Sequence, residues 1–174
     1  MLSKSAQIIE GVDNISLDEL NILEDQINQK TDLVITKRLL INLGNFDNQK
    51  NAIRKIHNSI EKDGYYIMLD TSMEGLTNLN ELRVKVGLDI IPEPHHNTLF
   101  ELNVLKEFLK QLFVIEDIKY FSTYYFLTRV YNPSLNIDNE FKYDTKAKDI
   151  TLQGIEMFES KIIGPQFCML LKRK

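Results

Sequence analysis

Asp32-Leu33-Val34-Ile35-Thr36-Lys37-Arg38-Leu39-Leu40-Ile41-Asn42-Leu43 is the stretch whose interpretation decides the architecture. Its first five residues are short, apolar and β-branched, the composition of a buried parallel strand. Two cations, Lys37 and Arg38, follow directly. The apolar run after them lacks the spacing of an amphipathic surface helix, so it either packs against the next helix or lines a flat apolar pocket. Asp47 is placed to cap that helix, in which Ala52, Ile53, Ile56 and Ile60 form an apolar stripe while Lys50, Arg54, Lys55 and Lys62 face water. Asp63-Gly64 reads as its end, with Gly64 in the left-handed conformation. Tyr65 to Asp70 reads as the next strand.

Upstream, Ile8 to Asp13 reads as a short strand entering a turn. Ser16 and Glu19 have the spacing of a capping box for a helix carrying Leu20, Leu23 and Ile27. Downstream, Thr71 to Asn78 reads as a loop, and Leu79, Leu82 and Val86 mark a helix stopped by Gly87. Pro92 to Asn97 fits neither a regular helix nor a central strand, because proline lacks a donor. Val104, Leu105, Phe108, Leu109 and Leu112 predict an amphipathic helix, and Phe113 to Phe121 a strand. Ser122 to Tyr131 fits a strand by propensity and a Ser122-capped helix by spacing. Asn132 to Lys148 reads as a loop, Ile150 to Phe158 as a short helix, and Gln166 to Leu171 as a last strand before Lys172-Arg173-Lys174. This order predicts an α/β fold with an open, mostly parallel sheet, whose ligands sit beyond the carboxyl ends of the strands.

The chain has 174 residues, of which 43% are hydrophobic, enough for one domain (1–174) with its own core. A formal net charge of -4 argues against a general nucleic-acid binder. The single cysteine excludes an internal disulfide and a cysteine-built zinc site. No stretch has the apolar length of a signal peptide or a bilayer span, which points to a cytoplasmic protein.

The polar residues at strand ends are the candidates for chemistry. Asp13-Asn14 has the chemistry to accept hydrogen bonds from an adenine amino group or a ribose, although its spacing fits a plain polar turn better. Asp70 to Arg83 gathers carboxylates, amides and a guanidinium, suited to proton transfer or simply to capping and solvation. His95-His96-Asn97 lacks a third ligand at metal-binding spacing, so a substrate-facing His96 or Asn97 is the better reading. His57 falls among solvated residues of a helix, and Cys168 inside an apolar strand reads as an inert core thiol. The 7 glycines never form Gly-x-Gly, and no Ser-His-Asp arrangement is present.

Asp32 to Leu43 resembles the fourth-strand region of class I S-adenosylmethionine-dependent methyltransferases, one branch of which continues into Arg-x-Leu-Ile-Asn-Leu. Asn48 to Lys62 and Asp63 to Leu69 are similar to the helix and fifth strand that follow. Gly75-Leu76, Leu79-Asn80, Arg83, Gly87-Leu88, His96-Asn97, Tyr124-Tyr125 through Arg129 and Asn132-Pro133 resemble the same branch. The final strand with Lys172 resembles the family's antiparallel last strand. The likeness runs from about Ile8 onward and implies a partial Rossmann-like methyltransferase sheet, mostly parallel with an antiparallel last strand. Residues 8–70 would hold the remaining cofactor-side strands, and 71–174 the acceptor side and C-terminal strands.

The resemblance further implies S-adenosylmethionine as methyl donor. It assigns Asp13, Asn14, Lys37, Arg38 and Ile41 to the cofactor, and Glu74, Asn80, Arg83, His96, Asn97 and Tyr125 to the acceptor. The sequence departs from the family in having neither the Gly-rich loop after the first strand nor the acidic residue that ends the second. It starts near the family's third strand, with Gly11-Val12-Asp13 where the adenine ring is met. Methyl transfer depends on holding donor and acceptor in line. The expectation is therefore an enzyme half completed by a second chain or a second copy, which would cover the exposed sheet edge. The alternative is a degenerate methyltransferase serving as a non-catalytic interaction subunit. A small-molecule acceptor is expected over nucleic acid, the basic tail being ordinary solvation.

Overall fold

The computed structural model describes residues 7–135, 145–153, 158 and 161–174. Strand β1 (Thr31–Lys37) leads through a single 3-10 turn (Leu40–Asn42) into helix α1 (Phe46–Ser59) and strand β2 (Ile60–Thr71). Helix α2 (Met73–Lys85), helix α3 (Leu102–Leu109) and strand β3 (Phe113–Tyr120) follow. Helix α4 (Ser122–Phe126) runs through a π turn (Leu127–Tyr131) into α5 (Asn132–Leu135); α6 (Thr145–Leu152) and strand β4 (Gln166–Arg173) complete the order. The sheet order is β1-β2-β4-β3. β1 pairs with β2 in parallel, and β4 lies antiparallel between β2 and β3. A mostly parallel sheet with an antiparallel last strand is thus what the chain forms.

The core lies on one face of the sheet. Tyr66 and Met68 of β2 and Phe167, Met169 and Leu171 of β4 pack there against Ala52, Ile53 and Ile56 of α1 and Leu102, Leu105 and Leu109 of α3. The other face repeats the alternation with different company. Its rows run Leu33, Tyr65, Lys172, Val114 and then Ile35, Ile67, Leu170 across the strands. Leu33, Ile35 and Val114 are 44%, 59% and 48% exposed. β1 is therefore an edge strand with one bare face, not the buried strand its composition suggests.

Several local expectations give way to identifiable competitors. Residues 9–14 form an exposed turn around Gly11 (φ 82°) rather than a strand. The helix expected after Ser16 is absent: Asn21 Oδ1 accepts from Leu23 N, and Lys55 Nζ ties Leu23 O and Asp25 O down onto α1. An asparagine side chain that serves its own backbone competes with helix in this way. Asn45, not Asp47, caps α1, accepting from Asn48 N at 2.9 Å. α1 stops at Ser59, and Asp63 rather than Gly64 takes the positive φ. Gly64 is needed for space, since a Cβ there would sit 2.6 Å from Ile60 Cγ2 and 2.8 Å from Asp32 O.

The segment expected as a loop from Thr71 is the first turn of α2, capped by Ser72 onto Gly75 N. Ser122 to Tyr131 resolves as helix, and α6 begins inside the segment expected as a loop. Of the helix expected over Ile150 to Phe158, the part to Leu152 is helical and 154–157 lie outside the described residues. No helix among the described residues is long and apolar enough to cross a membrane.

β4 enters the sheet through a close contact. Gly164 N donates to Gly75 O at 3.0 Å, and Ser72 N to Pro165 O at 2.8 Å. A Cβ on Gly75 would lie 2.1 Å from Gly164 O. Gly75→Ala is expected to lower stability by about 1–3 kcal/mol in urea unfolding, because backbone on both sides must shift. Ile35→Thr, on the bare face, is expected to stay within about 0.5 kcal/mol.

Candidate functional site

At the carboxyl ends of β1 and β2, where β4 begins, lies a cleft of about 160 Å³ lined by Lys37, Arg38, Leu69, Asp70, Phe121, Gln166 and Phe167. Asp70 is 1% exposed. Its Oδ2 accepts from Leu40 N at 3.3 Å and its Oδ1 from Thr71 N at 3.1 Å. Burial pushes its carboxyl up to about 7, against the opposing pull of those amides and of the Arg38 charge. Arg38 closes the turn above it: its N–H donates to Leu69 O at 2.8 Å, and its carbonyl accepts from Asn42 Nδ2 at 2.5 Å. Its φ is 52°, in the left-handed region, where a non-glycine residue carries a cost of roughly 1–2 kcal/mol.

Tyr125 stands beside this turn. Its ring rests on Gly164, where a Cβ would come within 2.1 Å of it. Burial pushes its phenol up to about 12, while the charges of Arg129 and Arg38 pull the other way. Lys37 and Arg38, expected on the cofactor side, and Tyr125, expected on the acceptor side, thus come together.

The other expected residues are placed differently. Asp13 and Asn14 are exposed in the turn near the N-terminus, not at a strand end. Ile41 is fully buried in the core. Glu74 Oε1 accepts from Leu102 N at 2.8 Å at the start of α3, and its Oε2 is buried without a partner. Asn80 clasps Ile91 twice, donating to its carbonyl at 2.9 Å and accepting from its N–H at 2.8 Å. Arg83 Nε donates to Asp89 O at 2.7 Å, and its Nη1 donates to Arg129 O. His96 is exposed; Asn97 is buried, with Oδ1 lacking a partner. Asn80 and Arg83 thus pin the 87–91 segment and the π turn to α2. His57 is half-buried, edge-on to Phe113 at 5.2 Å. Cys168 is half-buried on the sheet face away from the core. Among the described residues no three His, Cys, Asp or Glu gather as a metal site.

The fold recurs in solved structures. The N-methyltransferase NodS from Bradyrhizobium japonicum, in complex with S-adenosylhomocysteine, matches 99% of this chain at TM-score 0.54 and 8% identity. An S-adenosylmethionine-dependent methyltransferase from Clostridium acetobutylicum matches 99% at TM-score 0.56 and 13% identity. One from Archaeoglobus fulgidus matches 96% at TM-score 0.54 and 13% identity. The chain has the class I S-adenosylmethionine-dependent methyltransferase fold. At these identities the likeness is one of fold. This chain spans 61%, 70% and 72% of those three chains, respectively. It matches no protein-family model and no curated protein by sequence.

Within this methyltransferase fold, the strand-end cleft formed by the described residues is too small for a whole S-adenosylmethionine. Pockets that bury ligands of drug size hold about 300–1,000 Å³. The strand-end cleft is smaller, and the larger cavities, about 460 and 530 Å³, run along α2 instead. Of the expected cofactor residues, only Lys37 and Arg38 line the cleft. Asp70, named from the sequence only as one carboxylate of the 70–83 set and given no role of its own, is the buried acid of the cleft; a lone carboxylate ending the apolar run Tyr65 to Leu69 is a legible signal.

The fold favours the neutral form of Asp70, so its stabilising contribution is complete below about pH 4 and is lost as pH rises towards about 7. Urea midpoints are expected to fall across that window by roughly 2–4 kcal/mol of stability more than in Asp70→Asn, whose own profile is flatter. Asn80→Ala is expected to cost roughly 1–3 kcal/mol in the same assay, through two lost hydrogen bonds.

Proposed function

We propose that this protein works in S-adenosylmethionine-dependent methyl transfer to a small-molecule acceptor, as part of a site that a second polypeptide segment completes. The observation that carries this reading is the bare outer sheet face. A parallel strand pair normally has both faces covered. Here Leu33 and Ile35 of the β1 edge stand exposed beside Ile67 and Leu170. A covering layer, from a second chain or a second copy, would bury that apolar surface and pair the open edge. It would also bring the backbone donors for the methyl donor that the strand-end cleft lacks.

In this proposal residues 8–70 serve the cofactor side through Lys37 and Arg38, with Asp13, Asn14 and Ile41 in supporting positions. Residues 71–174 serve the acceptor through Tyr125, His96, Asn97 and Glu74, while Asn80 and Arg83 hold the frame. The protein's setting is the cytoplasm. A second reading, a non-catalytic interaction subunit of the same fold, is favoured by the small cleft and the burial of Ile41.

Calorimetric titration with S-adenosylmethionine separates the two. The chain alone is expected to show no saturable binding. Micromolar binding is expected on co-expression with a flanking frame that encodes an Asp/Glu-x-Gly-x-Gly half. Binding by the chain alone at micromolar strength would overturn the need for a second segment. No binding in either form would leave the interaction subunit.

A further inference from the structure

We propose that the cleft at the strand ends is an oxyanion subsite, in which the Arg38 guanidinium and the Lys37 ammonium take a carboxylate or phosphate group of the ligand. Four glycines of this chain, Gly11, Gly44, Gly87 and Gly164, occupy positive φ without a side-chain penalty. Position 38 bears arginine at φ 52° instead. Arg38, in that turn, and Lys37 beside it both line the cleft. Neither head group has a hydrogen bond or an ion pair among the described residues. In a chain with more acidic than basic residues, two adjacent cations without a direct ion pair at a concave site form an anion-attracting point.

The walls fit that reading. Leu69, Phe121 and Phe167 exclude water on the apolar sides, and Gln166 adds an amide. Arg38 and Arg129 both act on the neighbouring Tyr125 phenol, which extends the positive region beyond the cleft mouth. The one lining carboxyl, Asp70, accepts from the Leu40 and Thr71 amides, and burial favours its neutral form, which weakens its opposition to the two cations. A cleft of about 160 Å³ admits a terminal anionic group and not a whole nucleotide. The inference rests on the methyltransferase reading only in taking the ligand to be one that this site serves.

The test is thermal unfolding of the full chain in inorganic phosphate and, separately, in acetate, with ionic strength held constant by sodium chloride. A saturable rise of about 3 °C or more is expected with one or both anions, and the two arms tell phosphate from carboxylate. Arg38→Gln is expected to abolish the saturable rise, and Lys37→Gln to weaken it. Arg38→Asn, whose short side chain tolerates the left-handed region, is expected to melt at or above the parent in chloride and yet lose the anion response. No saturable rise in the parent, or an unchanged rise in Arg38→Gln, overturns the subsite. The readout needs no methyl donor. Anion binding without S-adenosylmethionine binding in any form leaves the subsite standing and removes the methyl-transfer reading; the reverse pattern removes the subsite alone.

Discussion

Strand β4 is the constraint on which the rest depends. Its backbone pairs antiparallel with β2 on one side and with β3 on the other, so residues 166–173 must enter between strands made much earlier in the chain. Everything between β2 and β4 is carried on the two gaps this leaves. The entry point is narrow: Gly164 meets Gly75 backbone to backbone, Ser72 holds Pro165, and the Tyr125 ring lies on Gly164. That single knot fixes the start of α2, the position of α4 and the first residues of β4. Gln166 and Phe167 then line the strand-end cleft, so cleft and sheet share one determinant.

The strands were legible because apolar, β-branched runs have few other uses, and α1 and α3 because their stripes match the helical repeat. What surrounds β1 was not legible. Leu33-Val34-Ile35 is apolar on both faces, a pattern suited to a strand covered twice, while the described chain covers it once. Composition reports what a strand is built to face, and only coordinates report what does face it. The N-terminal errors have another origin. Ser16 and Glu19 have capping-box spacing, but Lys55 and Asn21 offer the local backbone alternative partners, and a short isolated helix is too marginal to resist them.

For the site, Lys37 and Arg38 were legible as cations placed directly after a strand. The polar set after β2 was legible as a group and ambiguous in its roles. Asn80 and Arg83 have the chemistry of ligand-binding residues, but their hydrogen-bonding capacity is directed to the Ile91, Asp89 and Arg129 backbone. A sequence cannot distinguish a polar group facing a ligand from one facing an unsatisfied carbonyl, since the demand for pairing is the same in both. Asp70 shows the converse. It reads as the polar end of a strand, and only the 3-10 turn folding over it converts it into a buried carboxyl.

Two unfavourable features meet in that turn: a left-handed arginine and a buried acid. The other non-glycine residue at positive φ, Asp63, needs no special account. Aspartate tolerates the left-handed region, the position is exposed, and Asp63 pairs with Lys172 at 3.3 Å. Arg38 is exposed too, but it is not a residue type that favours the left-handed region. Its long side chain gains nothing from the conformation and makes no ion pair among the described residues. Glycine or asparagine would satisfy the backbone equally well. A residue that costs the fold and returns no contact to it is explained by its head group. That head group belongs to a residue lining the cleft at the strand ends, and its use lies there.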